Sequence, residues 1–420
     1  MNKPHSLIRS IIFFGLANIA CGLATDVSAS GFALIEDSGS GLGNAYAGGA
    51  ASAEGASTIY YNPAGLTLLN HREFVAVLHA IRPMVKFSDQ GSSNTANFRP
   101  VGGNGGDMRD ITPVPNLYYA MDINPTLKFG IGINSPFGLK TDYDPSWAGR
   151  FQAVKSELKT VNINPALAYK VNDSLSIGGG INYQYIQAEL TSAVNLGPSG
   201  EGYSKMKGDD YAWGYNLGIL FQTSPQTRIG ASYRSRIRYQ LSGDITFTNA
   251  PKPNGPVTAD LTVPDTLSLS IFHQINPAWD VMADLTWTGW SSFDKLTVTR
   301  NTGEVVSNTD ESWRNTLRPS VGVNYHHSKD LTFRGGIAFD QSPVRDEYRT
   351  ARIPDSDRTW LSFGIKIAVS PHGAVDLGYA HIVMKDANIN RTETPALSST
   401  LKGTYSNSVD ILSMQYTHSF

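Results

Sequence analysis

Residues 411–420 read ILSMQYTHSF, and this stretch decides the fold. Leu412, Met414, Tyr416, His418 and Phe420 fall on one face of an extended chain, because side chains alternate sides along a strand. An apolar face of period two that ends on a terminal aromatic has the form of an outer-membrane assembly signal. A soluble β-protein has no need to finish so. His418 is the imperfect member of that face. The stretch predicts a last strand with one side in lipid, and Phe420 as the residue offered to the barrel-assembly machinery.

Working back from this end, the same alternation recurs. Val161, Ile163, Pro165, Leu167, Tyr169 and Val171 share a face opposite Asn162, Asn164, Ala166, Ala168 and Lys170. Tyr211, Trp213, Tyr215, Leu217, Ile219 and Phe221 make a second apolar face, and Leu361, Phe363, Ile365, Ile367 and Val369 a third. Period two marks strands, and several runs exceed ten residues, long enough to cross a bilayer at a tilt. Asn124-Pro125, Asn172-Asp173, Ser224-Pro225, Asn276-Pro277, His327-Ser328 and Ser370-Pro371 each separate two such runs with residues suited to tight turns. Longer polar connections lie near residues 87–110, 135–155, 191–208, 249–259, 300–311, 342–357 and 386–404. Six short turns against seven long loops imply about 14 strands with the asymmetry of outer-membrane barrels. The expected fold is all-β, a transmembrane antiparallel barrel. Trp213, Trp279, Trp287, Trp290, Trp313 and Trp360 lie near run ends, where interfacial girdles or core packing would place them.

Composition agrees. Charged residues make up 17% of the 420, below the quarter usual for soluble domains, and mean hydropathy is −0.22, too polar for a helical membrane protein. The 34 basic and 36 acidic side chains leave no basic excess of the kind nucleic acid requires. Lys3, Arg9 and the apolar stretch 11–23, followed by Val27-Ser28-Ala29, read as a cleaved secretory signal. That stretch is short of the roughly 20 residues a membrane helix needs. The only cysteine, Cys21, falls within it, so no disulfide is expected in the mature chain. The domain reading is a signal peptide over 1–29, a plug over 30–70 and a barrel over 71–420. Residues 31–70 are rich in Gly, Ala and Ser, without sustained alternation, and of a size to fold inside the barrel. Their GSGLG stretch has no preceding strand and misses the dinucleotide spacing. No Gly-x-Ser-x-Gly or His-Glu-x-x-His occurs and the nine His are scattered, so neither an enzyme nor a metal or cofactor site is expected.

Gly31-Phe32, Ser40-Gly41-Leu42-Gly43, Ala45-Tyr46 and Asn62-Pro63-Ala64, in that order, resemble the N-terminal hatch of the FadL/TodX-type outer-membrane transporters of long-chain fatty acids and other hydrophobic compounds. Asn134 to Leu139, Trp147-Ala148-Gly149-Arg150, Thr160 to Pro165 and Ile353 to Arg358 are similar to later motifs of that family. The resemblance implies a monomeric 14-stranded barrel whose lumen the hatch closes. It also implies passive uptake in the Gram-negative outer membrane, among its lipids and lipopolysaccharide, with a sideways exit at a kinked strand. Within that family the substrate stays open between fatty acids and aromatic or aliphatic hydrocarbons. A general porin or an adhesin-type barrel would share the barrel alone.

A hydrophobic small-molecule ligand asks for an apolar route and, if it is an acid, a cation. Candidate apolar hatch residues are Phe32, Leu34, Ile35, Ile59, Tyr60 and Leu66, with plain plug packing as the competing role. Asn62, Pro63 and Ala64 fix a turn and, by the resemblance, gate the hatch. The resemblance also puts Arg358 near the ligand head group, where a guanidinium could clamp a carboxylate. Arg228, Arg234, Arg236 and Arg238 share one face of a run, and that face is expected in the lumen with Arg318 and Arg334. Pairing with lumen acids such as Asp280, Asp284, Asp340 and Asp376 is their bland alternative.

Overall fold

The computed structural model describes residues 30–70, 72–94, 100–393 and 399–420. The signal-peptide reading and Cys21 lie outside them. Fourteen antiparallel strands close into a barrel. They are β1 (Glu73–Asp89), β2 (Thr112–Asp122), β3 (Leu127–Asn134, resumed as Gly138–Asp142), β4 (Lys155–Lys170), β5 (Leu175–Asn195) and β6 (Glu201–Ser224). The far side holds β7 (Thr227–Arg234, then Ile237–Thr248), β8 (Gly255–Val263, then Thr266–Asn276), β9 (Trp279–Thr288, then Lys295–Arg300) and β10 (Val305–Asp310, then Thr316–His326). It ends with β11 (Leu331–Asp340), β12 (Arg358–Ser370), β13 (Gly373–Met384, then Ala387–Glu393) and β14 (Ser399–Ser419). β1 pairs with both β2 and β14, the latter from Glu73–Ser419 to Asp89–Gly403, so the sheet has no free long edge.

The alternation sorts by solvent. Leu167, Tyr211, Trp213, Leu217, Phe363, Leu412, Met414 and Phe420 are exposed on the outside, while Asn162, Asn164, Asn216 and Ser362 on the same strands are buried inside. That is the apolar-out, polar-in order of a wall in lipid. Trp213 and Trp279 point outward, whereas Trp290, Trp313 and Trp360 are buried inside the barrel.

All six short turns fall where the sequence puts them, but the long connections are shorter than expected. β5 and β6 run on to Asn195 and Glu201 through the stretch 191–208, and 249–259, 300–311 and 386–404 also carry strand. Beyond the bilayer a ladder needs its hydrogen bonds but no lipid-facing apolar side, so the sequence signal fades while the strand continues.

Residues 30–69 fold within the lumen as three short helices, α1 (Gly39–Gly43), α2 (Gly49–Ser52) and α3 (Thr58–Tyr61), then a 3-10 helix (Pro63–Leu68). The plug touches the wall on nearly every side, and inward-facing glycines make room for it. A Cβ on Gly218 would stand 1.9 Å from Asn62, one on Gly230 1.8 Å from the Ala50 carbonyl, and one on Gly336 2.2 Å from the Asn44 backbone. Main chain of the plug thus lies directly on main chain of the wall.

Candidate functional site

Asn62, Pro63 and Ala64 seat the plug. Asn62 Nδ2 donates to the Ala50 carbonyl at 2.6 Å and to the Ile219 carbonyl of β6 at 3.0 Å, while its Oδ1 accepts from the Ala64 amide at 3.0 Å. Pro63 opens the 3-10 helix, where a missing N–H costs nothing. Ile59 and Leu66 are fully buried beside Gly130 of β3, so of the six apolar candidates these two pack the plug to the wall.

The other four line open space. Leu34, Ile35 and Tyr60 line a central cavity of about 120 Å³, together with Tyr46, Phe137, Trp290 and Trp360. Hydroxyls line it as well, from Ser232, Ser268, Thr286 and Thr316, with the carboxyls of Asp284 and Asp340. Phe32 lines a second, more apolar cavity of about 90 Å³ nearer the long loops, bounded by Leu139, Leu158, Leu241, Val257 and Phe293. The Phe32 ring is caged by Trp290, Phe293 and Trp313 at centroid distances of 4.8, 5.5 and 5.6 Å. Trp290 belongs to the central cavity and Phe293 to the apolar one, so Phe32 stands between the two.

Four of the six lumen arginine candidates are where alternation puts them, and three of those are engaged. Arg228 donates to the Ala51 and Ser52 carbonyls at 3.0 and 2.9 Å. Arg234 donates to Asn182 and to the Tyr60 carbonyl (2.9 Å), and lies over the Tyr60 ring. Arg334 pairs with Glu54 of the plug at 2.7 Å and with Asp376 at 3.0 Å, a buried brace. Arg318 differs. It lines the central cavity, sits 5.1 Å from the Trp360 ring centre and donates to the Ala45 carbonyl at 3.1 Å. Among the described residues its Nε has no hydrogen-bond partner and no carboxylate reaches ion-pair distance.

Arg236 and Arg238 do not face the lumen. β7 breaks after Arg234, and the break shifts the alternation by one residue, so that Ser235, Ile237 and Tyr239 point inward and the two arginines outward. Arg236 reaches Asp265 at 3.2 Å. Arg358 is also away from the cavity. It is 1% exposed and paired with Asp355, whose other oxygen accepts from the Gly31 amide at 2.9 Å and from Ser342 Oγ at 2.8 Å. The motif that ends at Arg358 therefore ties the start of the plug. Trp147 and Arg150 of the earlier motif likewise brace outer loops, with Arg150 bound to both Glu201 oxygens at 3.0 and 2.8 Å.

The wall opens at the interruption of β3. Pro136 has no N–H for a ladder, and Thr160 of β4 fills in: its hydroxyl accepts from the Phe137 amide at 3.0 Å and donates to the Phe137 carbonyl at 2.7 Å. From inside, the plug adds itself to the bend, with Leu34 N–H to the Pro136 carbonyl at 2.8 Å and Gly138 N–H to the Phe32 carbonyl at 2.9 Å. On the other side, the β2 ladder to β3 stops at Leu117–Ile133, and Gly138–Asp142 pairs with β4 alone. Residues 112–116 of β2 thus face a gap, backed by plug residues 33–37. The sequence carried a signal for it in Asn134-Ser135-Pro136, a proline inside an alternating run.

The model of the family described as "Outer membrane protein transport protein (OMPP1/FadL/TodX)" matches residues 20–420. A "Long-chain fatty acid transport protein" of Escherichia coli is 30% identical over 405 residues, 86% of this chain and 88% of the relative. "Outer membrane protein P1" of Haemophilus influenzae is 32% identical over 413 residues, covering 88% and 90%. Among solved structures, a Pseudomonas aeruginosa FadL homologue superposes with a TM-score of 0.87 at 23% identity, over 93% of this chain and all of that one. The Ralstonia pickettii toluene transporter TbuX gives 0.66 at 22% identity, over 89% and 96%.

Proposed function

This chain belongs to the OMPP1/FadL/TodX family of outer membrane transport proteins, and we propose that within it the ligand is a long-chain fatty acid. Membership makes it a passive transporter of hydrophobic compounds in the Gram-negative outer membrane, and not an enzyme. The observation that carries the finer reading is Arg318, a buried guanidinium with donor capacity left over, on the wall of a cavity that sets Leu34, Ile35, Phe137 and Trp360 beside hydroxyls and the carboxyls of Asp284 and Asp340. A carboxylate head group would use that capacity, with the acyl chain along Leu34, Ile35 and Trp360. The name of the Escherichia coli relative points the same way.

The route follows from the two cavities and the gap. Ligand collects in the apolar cavity by the long loops and passes Phe32 to reach Arg318. It leaves through the β2–β3 gap when residues 32–34 release the bend. A cavity of about 120 Å³ is near the size that holds benzene, about 150 Å³, so an acyl chain needs the added room that release gives. The chain works as a monomer, since one barrel contains every part of this route.

The test is displacement of a fluorescent long-chain fatty acid from the detergent-folded protein by oleate, toluene or a long-chain alkane. Displacement by oleate, weakened about 10- to 100-fold in Arg318→Ala, supports the reading; that is the worth of one charged hydrogen bond. Displacement by toluene or alkane but not by oleate moves the ligand to hydrocarbons.

A further inference from the structure

Two adjacent plug acids, Glu36 and Asp37, stand on the inner side of the wall gap; the main chain of Glu36 and the carboxyl of Asp37 join its edges, while the Glu36 carboxyl accepts from the Ile35 amide at 2.9 Å. The Glu36 carbonyl accepts from Asn116 Nδ2 of β2 at 2.8 Å. Asp37 Oδ1 accepts from Asn134 Nδ2, the last residue of β3 before the bend, at 2.9 Å, and from the Tyr118 hydroxyl of β2 at 3.3 Å. Glu36 and Asp37 are only 3% and 1% exposed, and Asp37 Oδ2 is buried without a hydrogen-bond partner among the described residues. Ile35 on one side of the pair, and Tyr60 and Tyr61 packed beside it, line the central cavity.

A fatty acid that leaves sideways meets a chemical obstacle at this point. Hydrocarbon is a poor host for a carboxylate and a good one for the neutral acid. Arg318 favours the charged form, so something between it and the gap must favour the other. We propose that Glu36 and Asp37 form a proton-donating pair that neutralises the ligand as it leaves. A plug carboxyl O–H breaks, the ligand carboxylate gains the proton as a new O–H, and the plug carboxylate left behind takes a proton from a hydronium ion in the lumen, which leaves as water. Net charge is unchanged at each step.

Burial raises both groups to about 7, so that a share of each keeps its proton near neutral pH, and the ligand carboxylate takes it up only as it too loses water at the gap. The charged groups facing them temper this: Arg358 and Arg318 act on Glu36, and Arg234 on Asp37. Tyr46, Tyr60 and Tyr61 surround the pair as neutral hydroxyls, and the Tyr118 hydroxyl faces it from β2.

The proposal rests on the fatty acid reading, and its test separates the two. Uptake of radiolabelled oleate and of oleyl alcohol is compared in cells lacking their own long-chain fatty acid transporter. These cells carry wild type, Glu36→Gln, Asp37→Asn or the double variant, with barrel assembly checked by heat-modifiable mobility. The oleate-to-alcohol ratio is expected to fall about tenfold in the double variant, the low end of general-acid effects, and in wild type to fall as pH rises from 6 to 8. An unchanged ratio overturns the proposal, whether total uptake drops or not, because a purely structural role moves both ligands together. Wild type that takes up the alcohol but no oleate at either pH removes the fatty acid reading itself.

Discussion

The Gly31 amide donates to Asp355 Oδ2 at 2.9 Å, and the same carboxylate holds Arg358. One buried acid thus joins the start of the plug to the base of β12. Asp355→Ala strands a buried guanidinium and a buried N–H together, at a cost of about 3–5 kcal/mol. The plug should loosen before the barrel does, read as raised single-channel conductance with unchanged heat-modifiable mobility. Pairing it with Arg358→Met removes the stranded charge and should recover part of the loss, leaving the Gly31 amide, worth about 1–3 kcal/mol, unpaired.

Phe32 separates the apolar cavity from the central one, and its ring fills an aromatic cage. Phe32→Ala should lower the unfolding midpoint, since an aromatic-to-alanine change in a core costs about 3–5 kcal/mol. It should also merge the two cavities, so that bulky ligands gain in uptake rate relative to slender ones. Competition uptake with a straight and a branched fatty acid measures this. An unchanged ratio would mean that the ligand never passes Phe32.

Gly218 lies against Asn62 so closely that a Cβ would stand 1.9 Å from its Oδ1. Gly218→Ala must push the Asn62-Pro63-Ala64 turn off β6 and break the bond to the Ile219 carbonyl. Over-packing of this kind costs about 1–3 kcal/mol or more. Sensitivity to small polar antibiotics should rise as the plug leaks. Gly335→Ala is the control, because its Cβ would meet only Val323 at 3.8 Å.

What could be read from the sequence divides along physical lines. The strands were legible because lipid on one side and water on the other impose period two on every crossing, and the turns because Asn, Pro and Ser carry their own geometry. Arg236 and Arg238 were misplaced because a one-residue shift in alternation at Ser235 reverses every later side chain, and nothing in the polar run there announces it. Arg318 shows a different limit. Its lumen face was readable, but not its lack of an ion pair, since Asp284 and Asp340 stand on the neighbouring strands β9 and β11 and only the packing decides that neither reaches it. The roles of Arg358 and Asp355, three residues apart, stayed hidden because the third partner, Gly31, lies 324 positions away. Glu36 and Asp37 carried a signal of their own: they are two adjacent acids in a plug whose one other acid is Glu54.

That acid pair also fixes the direction in which pH acts on the plug. Burial raises Glu36 from the usual 4.5, and Asp37 from 3.8, to about 7 in the folded state. Between those limits the folded plug binds protons that the unfolded chain has lost, and stability follows the difference in bound protons. The contribution is therefore full below about pH 4, declines as pH rises, and is lost once pH passes about 7. Thermal unfolding of the purified protein from pH 4 to 8 should show the midpoint falling across this window. Glu36→Gln with Asp37→Asn should flatten the fall, since neither amide titrates. A wild-type midpoint that instead rises with pH would mean that the facing arginines, Arg234, Arg318 and Arg358, outweigh burial and hold the pair ionised.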